Sequence, residues 1–294
     1  METQDLELSQ KREKTEKTLA NVMVLPVIPK VMLEALKLLD SQLTTAKELD
    51  KVIAKDQALV TKIITIANSP FYGLQRKVTT IEYAIMVLGY RELRDIISAL
   101  SVAEAFKNKT DRYLNQKEFI LHSYITGTTC KKLANELGFH NSGEAFIAGF
   151  LHDVGVSIIH RYMHSDFVAI CELVENQKIS FRDAELEVLG MNHETIGQFL
   201  LDKWNFPLEI TDSVAKHHSS PTSCHNPTIC SIVQMADCMT QKLKIGHFIW
   251  DRDITPDPYT MKKFNLEREI DFDKFAAGYK DLFWEQVEFV RFLN

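Results

Sequence analysis

Helical periodicity runs through almost the whole chain and limits its fold more than any other feature. The 294 residues include only 11 Gly and 8 Pro, and the apolar–polar alternation typical of strands is hard to find. The segment KVMLEALKLLD, residues 30–40, instead carries apolar residues at i, i+3, i+4 and i+7, which is the pattern of an amphipathic helix. The sequence therefore predicts an all-α protein.

Local signals predict where several of these helices begin and break. Ser, Thr and Asn side chains accept hydrogen bonds from the first free N–H groups of a helix, so these residues predict N-caps where they precede apolar stretches. Gly89 predicts a break between two helices. The predicted N-caps are Thr44 or Thr45, Ser180 in a capping box with Asp183, Asn192 and Asn226.

These patterns divide the chain into four parts, which we expect to form a two-lobed helical bundle. Residues 1–19 are a charged N-terminal extension, and residues 20–110 form a first lobe of short amphipathic helices. In residues 111–245 the helices are longer and carry histidines, which defines a second lobe. Residues 246–294 are predicted to supply C-terminal helices that complete the bundle.

Charge and composition exclude several classes of function. The net charge of −6 offers no basic surface for a nucleic acid, so we expect no nucleic-acid partner. The N-terminal stretch METQDLELSQKREKTEK is charged and lacks the apolar core of a secretory signal. No apolar run approaches the ~20 residues that a membrane span needs, so we expect no membrane partner.

The cysteines favour a reducing compartment. Five cysteines are scattered without C-x-x-C spacing, which predicts free thiols and a cytoplasmic protein. Cys224, His225 and Cys230 are close enough in sequence to form part of a zinc site. Cysteines on helix surfaces and in cores are commoner than zinc fragments of this kind, so the sequence favours ordinary thiols there.

An adjacent His–Asp pair stands inside an apolar segment, GFLHDVGVSIIH, at residues 149–160. If His152 and Asp153 are buried in a helix, as the pattern predicts, each needs a polar partner. A metal ion or a hydrogen-bond network would satisfy them. Considered alone, a buried histidine is more often a hydrogen-bonded core residue than a metal ligand.

Further side chains that could bind a metal ion follow in the second lobe. Glu118 and His122 stand four residues apart, on one face of a predicted helix. A helical bundle can collect such side chains around a buried centre, and mixed imidazole and carboxylate ligands suit Fe, Mn, Zn, Ni or Co better than Ca or Mg. The complete candidate set is Glu118, His122, His152, Asp153, His193, His217, His218 and Asp237.

The order of these residues, E-x-x-x-H, H-D, H, H-H and D, resembles the ligand order of the HD-superfamily metal-dependent phosphohydrolases, especially the HD-GYP cyclic-di-GMP phosphodiesterases. Over residues 20–290 the chain is more similar to the HDOD proteins, the HD-related output domains of bacterial signalling. The segments that carry this resemblance, in chain order, are LPVIPKVMLEALKLL, ANSPFYG, TTIEYAIMVLGYRELRDII, HSYITGTTCKKLA, AFIAGFLHDVGVSII and HETIGQFLLDKWNFP.

The resemblance implies a centre with one or two divalent transition metals, with Fe or Mn preferred and Zn or Ni also suited. It also implies a signalling protein partner that binds the first lobe. The positions that match the superfamily's basic ligand quartet are His122, His152, Asp153 and Asp237. The positions that match the second metal of HD-GYP enzymes are Glu118, His193, His217 and His218. His160 and His164 fall outside the pattern and are expected to be exposed or helix-end groups.

Two departures from the enzyme pattern bear on the function. The lysine that often follows in H-D-x-G-K is Val156 here, and SSPTSC follows His218 where HD-GYP enzymes have a G-Y-P segment. The sequence therefore predicts a regulatory HDOD protein that holds metal. The alternative is an active phosphohydrolase or phosphodiesterase, in which Asp153 bridges two metal ions and a phosphoester or nucleotide is the ligand. The sequence leaves open whether the protein is an enzyme.

Overall fold

The structure, a computed structural model, is helical through the part of the chain that it describes. The described residues are 2–22, 29–39, 41, 43–68, 72–105, 109–251, 254–284 and 287. They contain no β-strand, which confirms the predicted all-α fold. The helices are α1 (Glu2–Val22), α2 (Lys30–Leu39), α3 (Ala46–Ile53), α4 (Gln57–Ala67), α5 (Ile81–Ala105), α6 (Gln116–Glu136), α7 (Ser142–Leu151), α8 (Val154–Tyr162), α9 (His164–Gln177), α10 (Phe181–Leu189), α11 (His193–Lys203), α12 (Leu208–Ala215), α13 (Pro227–Lys242), α14 (Pro258–Lys263) and α15 (Glu269–Gly278).

The helices form two compact units. The first comprises residues 1–26 and 106–277, and the second comprises residues 27–105 and 278–294. All the predicted metal ligands belong to the first unit, which we call the histidine unit. We call the second the small unit.

The small unit has an apolar core of its own. Helices α2 to α5 pack together and bury side chains that include Leu49, Ile53 and Ile63. Asn68 closes the turn after α4, because its side-chain carbonyl accepts a hydrogen bond from the Val78 N–H and its amide donates to the Val78 carbonyl, both at 2.7 Å. The asparagine in ANSPFYG therefore binds the chain ten residues further on.

Several predicted helix boundaries are confirmed. The Thr45 hydroxyl accepts a hydrogen bond from the Glu48 N–H, and the Glu48 carboxylate accepts one from the Thr45 N–H, which is a complete capping box. Helix α5 is kinked at Gly89, whose φ of 78° and ψ of 165° are not helical. The other confirmed N-caps are Ser180, Asn192 and Asn226.

Two glycines allow close helix contacts in the histidine unit. A Cβ atom on Gly149 would overlap Sγ of Cys130 in α6, and one on Gly155 would overlap the carbonyl group of His193. Because these glycines have no side chain, α7 approaches α6 and α8 approaches α11. The second contact places His193 beside the segment that carries the His–Asp pair.

Helices α7 and α8 together form a long apolar stretch. By length and composition Ser142–Tyr162 could cross a membrane, whereas the sequence analysis expected no such run. Its most apolar window is 83% buried inside the protein. We therefore interpret the stretch as part of the core of the histidine unit.

The structure also corrects the cysteine prediction. Cys224 and Cys230 form a disulfide, whereas the sequence analysis favoured thiols at both positions. Cys130, Cys171 and Cys238 are free and buried. Disulfides are typical of oxidising compartments, so the cysteines do not support the expected reducing compartment.

Candidate metal centre

The His–Asp pair lies between two helices rather than inside one. Helix α7 ends at Leu151 and α8 begins at Val154, so His152 and Asp153 form the junction. Both side chains are completely buried. The break turns the two side chains toward the same centre, which an unbroken helix would not do, because adjacent residues of a helix do not face each other.

Four side chains form a first group of converging ligand atoms. His122 comes from α6, the pair from the α7–α8 junction, and Asp237 from α13. The Nε2 atom of His122 lies 3.3 Å from Nε2 of His152 and 3.3 Å from Oδ1 of Asp237. The Nε2 atom of His152 lies 3.1 Å from Oδ2 of Asp153 and 3.5 Å from Oδ1 of Asp237.

A second group lies on the other side of Asp153. Oδ1 of Asp153 is 3.8 Å from Nε2 of His193 and 3.6 Å from Nε2 of His217. Asp251 completes the group, with its Oδ1 atom 3.7 Å from Nε2 of His193 and 2.7 Å from Nε2 of His218. Asp153 thus presents one carboxylate oxygen to each group.

Groups around the ligands hold the rings in place. Nδ1 of His152 lies 2.7 Å from the Gly149 carbonyl, and because a carbonyl only accepts, this nitrogen carries a hydrogen. In the neutral ring the Nε2 lone pair therefore faces the centre. The same holds for His217, whose Nδ1 atom lies 2.7 Å from the Val214 carbonyl.

Polar side chains orient the other ligands. The Nδ1 atom of His193 lies 2.9 Å from the Glu185 carboxylate, which also accepts the His193 backbone N–H at 3.0 Å. The indole N–H of Trp250 donates to Oδ2 of Asp153 at 2.6 Å. Each oxygen of the Asp237 carboxylate accepts a hydrogen bond from the Gln241 amide, at 3.0 and 3.1 Å. Such outer partners are typical of metal sites.

Opposite charges shift the pKa values in the first group. Burial lowers the pKa of His152, but the carboxylates of Asp153 and Asp237 outweigh burial and raise that pKa well above its ordinary value. Burial raises the pKa of Asp153, yet the neighbouring histidines, His152 foremost, hold it well below its usual range. The pKa of Asp237 is lowered for the same reason, with His152 and His122 outweighing burial.

In the second group the pKa shifts of neighbouring residues differ in direction. Burial lowers the pKa of His193, but Glu185 raises it to about 9. The pKa of His218 is held well below its ordinary value by burial and by the adjacent imidazoles of His217 and His193. The pKa of Asp251 is raised well above its ordinary value by burial and by the other carboxylates, Asp153 first among them.

Several ligand atoms in the second group have no hydrogen-bond partner although they are buried. His218 and Asp251 approach closely, but not with the alignment of a hydrogen bond. A buried polar group left unpaired costs ~1–3 kcal/mol, so a cluster of them points to a shared partner. The atoms are Nε2 of His193, His217 and His218, Oδ1 of Asp153 and both carboxylate oxygens of Asp251. Nitrogen and carboxylate donors that converge in this way fit divalent transition metals.

The structure brings together all the sequence-predicted site residues except Glu118. Glu118 is half-buried in the first turn of α6, and the groups of close ligand atoms do not include it. Its backbone carbonyl accepts the His247 N–H at 3.2 Å. His160 and His164 lie outside this cluster, as expected, although His160 is buried rather than exposed.

Sequence reasoning missed Asp251 and Glu185. Asp251 ends a short 3-10 turn, Ile249–Asp251, in the stretch after Gly246 that has no clear helical periodicity. Glu185 lies eight residues before His193 in α10 and is completely buried. The one available signal was the position of Asp251, a carboxylate directly after the apolar residues Phe248, Ile249 and Trp250.

The fold and the cluster define a class of protein: an all-α protein in which histidines and aspartates from several helices meet at a buried centre. Within this class the chain belongs to the HDOD domain family, which it matches over residues 25–220. The family predicted from the sequence is confirmed.

A curated relative also matches the chain. It is an uncharacterised protein of Treponema pallidum (strain Nichols), 22% identical over 198 residues. The match covers 67% of this chain but 38% of the relative, so the chain spans well under half of the relative's length.

Three solved structures share the fold. An HDOD domain protein of unknown function from Geobacter sulfurreducens is 24% identical, with a TM-score of 0.77 over 97% of this chain and 99% of that one. A protein provisionally named a phosphohydrolase, from Shewanella amazonensis SB2B, is 21% identical, with a TM-score of 0.70 over 93% and 97%. A protein provisionally named a signal transduction protein, from Marinobacter aquaeolei VT8, is 17% identical, with a TM-score of 0.69 over 97% and 66%.

Proposed function

We propose that the protein is a signalling or regulatory HDOD protein that holds one or two divalent transition-metal ions in the buried cluster. The unpaired, converging ligand atoms of the second group support metal binding. The first ion would be held by His122, His152, Asp153 and Asp237, and the second by Asp153, His193, His217, His218 and Asp251. Asp153 would contribute to both ions, since one of its carboxylate oxygens faces each group.

The closure of the second group is the observation that favours regulation over catalysis. Catalytic metal sites keep a coordination position open for water or substrate, whereas structural sites are closed by protein ligands. Here the Asp251 carboxylate, 2% exposed, lies 2.7 Å from His218 and 3.7 Å from His193. Asp251 would therefore be a fifth protein donor to the second ion, and a six-coordinate ion would keep at most one position for water or substrate.

An active phosphohydrolase is the second candidate. A divalent ion bound in this cluster would lower the pKa of a bound water and polarise a phosphoryl oxygen. The observation that favours a phosphoester or nucleotide ligand is a cavity of about 760 Å³ beside α13, lined by Gln241, Lys242 and Lys244. The Gln241 amide donates a hydrogen bond to Asp237, so one side chain that lines this cavity contacts a predicted metal ligand.

Against this candidate, Val156 is a completely buried apolar residue at the position where HD enzymes often have lysine. The cation that would hold a phosphate next to the His–Asp pair is therefore absent from that position. The lysines of the cavity lie on α13 and after it, and Lys242 already pairs with Asp273.

Metal content tests the proposal. Protein purified from cells supplied with Mn and Fe should carry close to stoichiometric metal, measured by inductively coupled plasma mass spectrometry. Asp153→Ala should lose metal from both groups, because both share this carboxylate, whereas His217→Ala should lose metal from the second group only. His140→Gln, which changes an exposed histidine outside the cluster, is the matched control. Wild-type protein with less than about a tenth of an ion per chain would overturn metal binding.

Turnover then separates the two functions. The metal-loaded protein should not hydrolyse generic or cyclic phosphodiesters above the rate of the Asp153→Ala variant. Asp251→Ala removes one protein donor from the second group. Weak hydrolysis by this variant alone would therefore agree with a regulatory site in the wild type. Hydrolysis by the wild type that Asp153→Ala abolishes would favour the enzyme.

We also propose that a signalling protein, rather than a nucleic acid or a membrane, binds the small unit. The cytoplasm is the proposed compartment, although the Cys224–Cys230 disulfide is more typical of an oxidising one. Exposed apolar side chains on the small unit, Leu43 at 89% and Met86 at 77%, support a protein partner. A photo-crosslinking residue at position 86 should yield a discrete adduct in cells. The same residue at exposed Glu187 of the histidine unit should not.

A further inference from the structure

We propose that Asp111, His160 and His164 form a separate binding site for a Zn²⁺-like divalent metal ion. Asp111 lies in the segment before α6, His160 in the last turn of α8, and His164 at the first position of α9. The site is independent of the function proposed above, since none of these residues belongs to the buried cluster.

The three ligand atoms already converge. Oδ2 of Asp111 lies 2.8 Å from Nε2 of His160 and 3.6 Å from Nε2 of His164. Ligand atoms bound at ~2.1 Å to one tetrahedral ion lie about 3.4 Å apart, so these separations need only small adjustments.

The Asp111 carboxylate is held in position by the backbone. Its Oδ1 atom accepts hydrogen bonds from the Tyr113 N–H at 2.8 Å and the Leu114 N–H at 2.9 Å. These bonds leave Oδ2 directed at the two imidazoles. A ligand carboxylate supported by hydrogen bonds on its other oxygen is typical of metal sites.

The histidine nitrogens also present lone pairs. Nδ1 of His164 lies 3.3 Å from the His160 carbonyl, which only accepts, so Nδ1 carries the hydrogen and Nε2 is bare in the neutral ring. The lone pair of this Nε2 atom then faces Oδ2 of Asp111 at 3.6 Å, an arrangement that a bound cation would stabilise.

The chemistry and the access of the site indicate the ion. Two imidazoles and one carboxylate suit Zn²⁺, Co²⁺ or Ni²⁺ rather than Mg²⁺ or Ca²⁺. The His164 side chain is 51% exposed and that of Asp111 30%, so an ion can enter from solvent and keep water as a further ligand. A bound ion would connect Asp111, in the segment before α6, to the adjoining ends of α8 and α9.

Zinc stoichiometry of the full chain tests the site. We compare wild type with Asp111→Asn and His164→Gln by equilibrium dialysis against Zn²⁺, with His140→Gln as the control for loss of an exposed histidine. Each of the first two variants should bind about one zinc fewer than wild type, and the control should match wild type. Circular dichroism verifies that every variant is folded. With Co²⁺ as the probe, the same two variants should lose a matching part of the visible d–d absorption.

A second background separates this site from the buried cluster. The zinc at Asp111 should persist in Asp153→Ala and, independently, in His217→Ala. It should disappear from both variants when His164→Gln is added. Equal zinc binding by wild type, Asp111→Asn and His164→Gln would overturn the site, since a proton rather than a metal would then join the three groups. Loss of all zinc in both backgrounds would overturn it as well.

Discussion

At the scale of single residues, the groups behind the ligands decide which ring nitrogens face the centre. Nδ1 of His152 binds a backbone carbonyl, but that of His193 binds the Glu185 carboxylate. A carboxylate at this position fixes the tautomer and strengthens the imidazole as a donor. Glu185 is therefore the outer partner that mutation can test most directly.

We expect Glu185→Gln to weaken metal binding by the second group about 10–100-fold and to leave the first group unchanged. The amide keeps nearly the same shape but loses the charge that supports His193. Competition with a chromophoric chelator measures both affinities. Glu187→Gln, an exposed position on the same helix, is the control. Equal affinities in all three proteins would show that Glu185 has no role in the centre.

Protonation of His193 makes metal binding depend on pH. The pKa of this imidazole is raised to about 9, so at neutral pH the metal-free ring holds a proton that a bound metal must displace. Affinity for the second ion should therefore rise as pH increases from about 7 to about 9, roughly tenfold per pH unit for each proton released. Chelator competition across this range measures the slope. In Glu185→Gln the slope should flatten at neutral pH, because the charge that raises the pKa is gone.

At the scale of helices, the approach of α8 to α11 decides whether the two ligand groups meet. Gly155, two residues after Asp153, leaves space for the His193 carbonyl. Any side chain there would push α11, and with it His193, away from the His–Asp pair. The glycine of the H-D-x-G pattern thus has a packing role in this protein.

Gly155→Ala should destabilise the protein by ~1–3 kcal/mol through overpacking and should reduce the metal content of the second group. Urea unfolding and metal analysis measure the two effects. Gly278→Ala is the matched control, since an added Cβ at Gly278 meets no atom within 4 Å. Full metal content in Gly155→Ala would show that the α8–α11 contact does not position His193.

The sequence predicted the helices better than the contacts between them. Apolar periodicity and capping residues such as Thr45 are local, so they predict helix type and boundaries without knowledge of the fold. The break at His152 carries no such signal, because apolar residues continue on both sides of it. Asp251 meets His218 only through folding of a stretch without periodicity. Glu118 lies outside the groups of close ligand atoms, because i, i+4 spacing gives a shared helix face but not which residues of that face reach the centre.

At the scale of the whole molecule, the metal centre and the small unit have separate sources of stability. All the candidate ligands lie in the histidine unit. They come from α6, the α7–α8 junction, α11, the turn after α12, α13 and the turn that ends at Asp251. The small unit has its own apolar core. A ligand that binds only the folded state stabilises the structure that holds its site, so bound metal should act on one unit.

Removal of metal by a chelator should therefore lower the protection of the histidine unit against hydrogen exchange and leave the small unit unchanged. The loss should approach ~2.7 kcal/mol if the free metal had been at 100 times its dissociation constant. Mass spectrometry of exchanged peptides compares α6, α11 and α13 with α2 to α4. In Asp153→Ala the chelator should have little effect on either unit, because the shared ligand is already gone. Equal loss of protection in both units would contradict this prediction, because bound metal would then stabilise the small unit as much as the histidine unit.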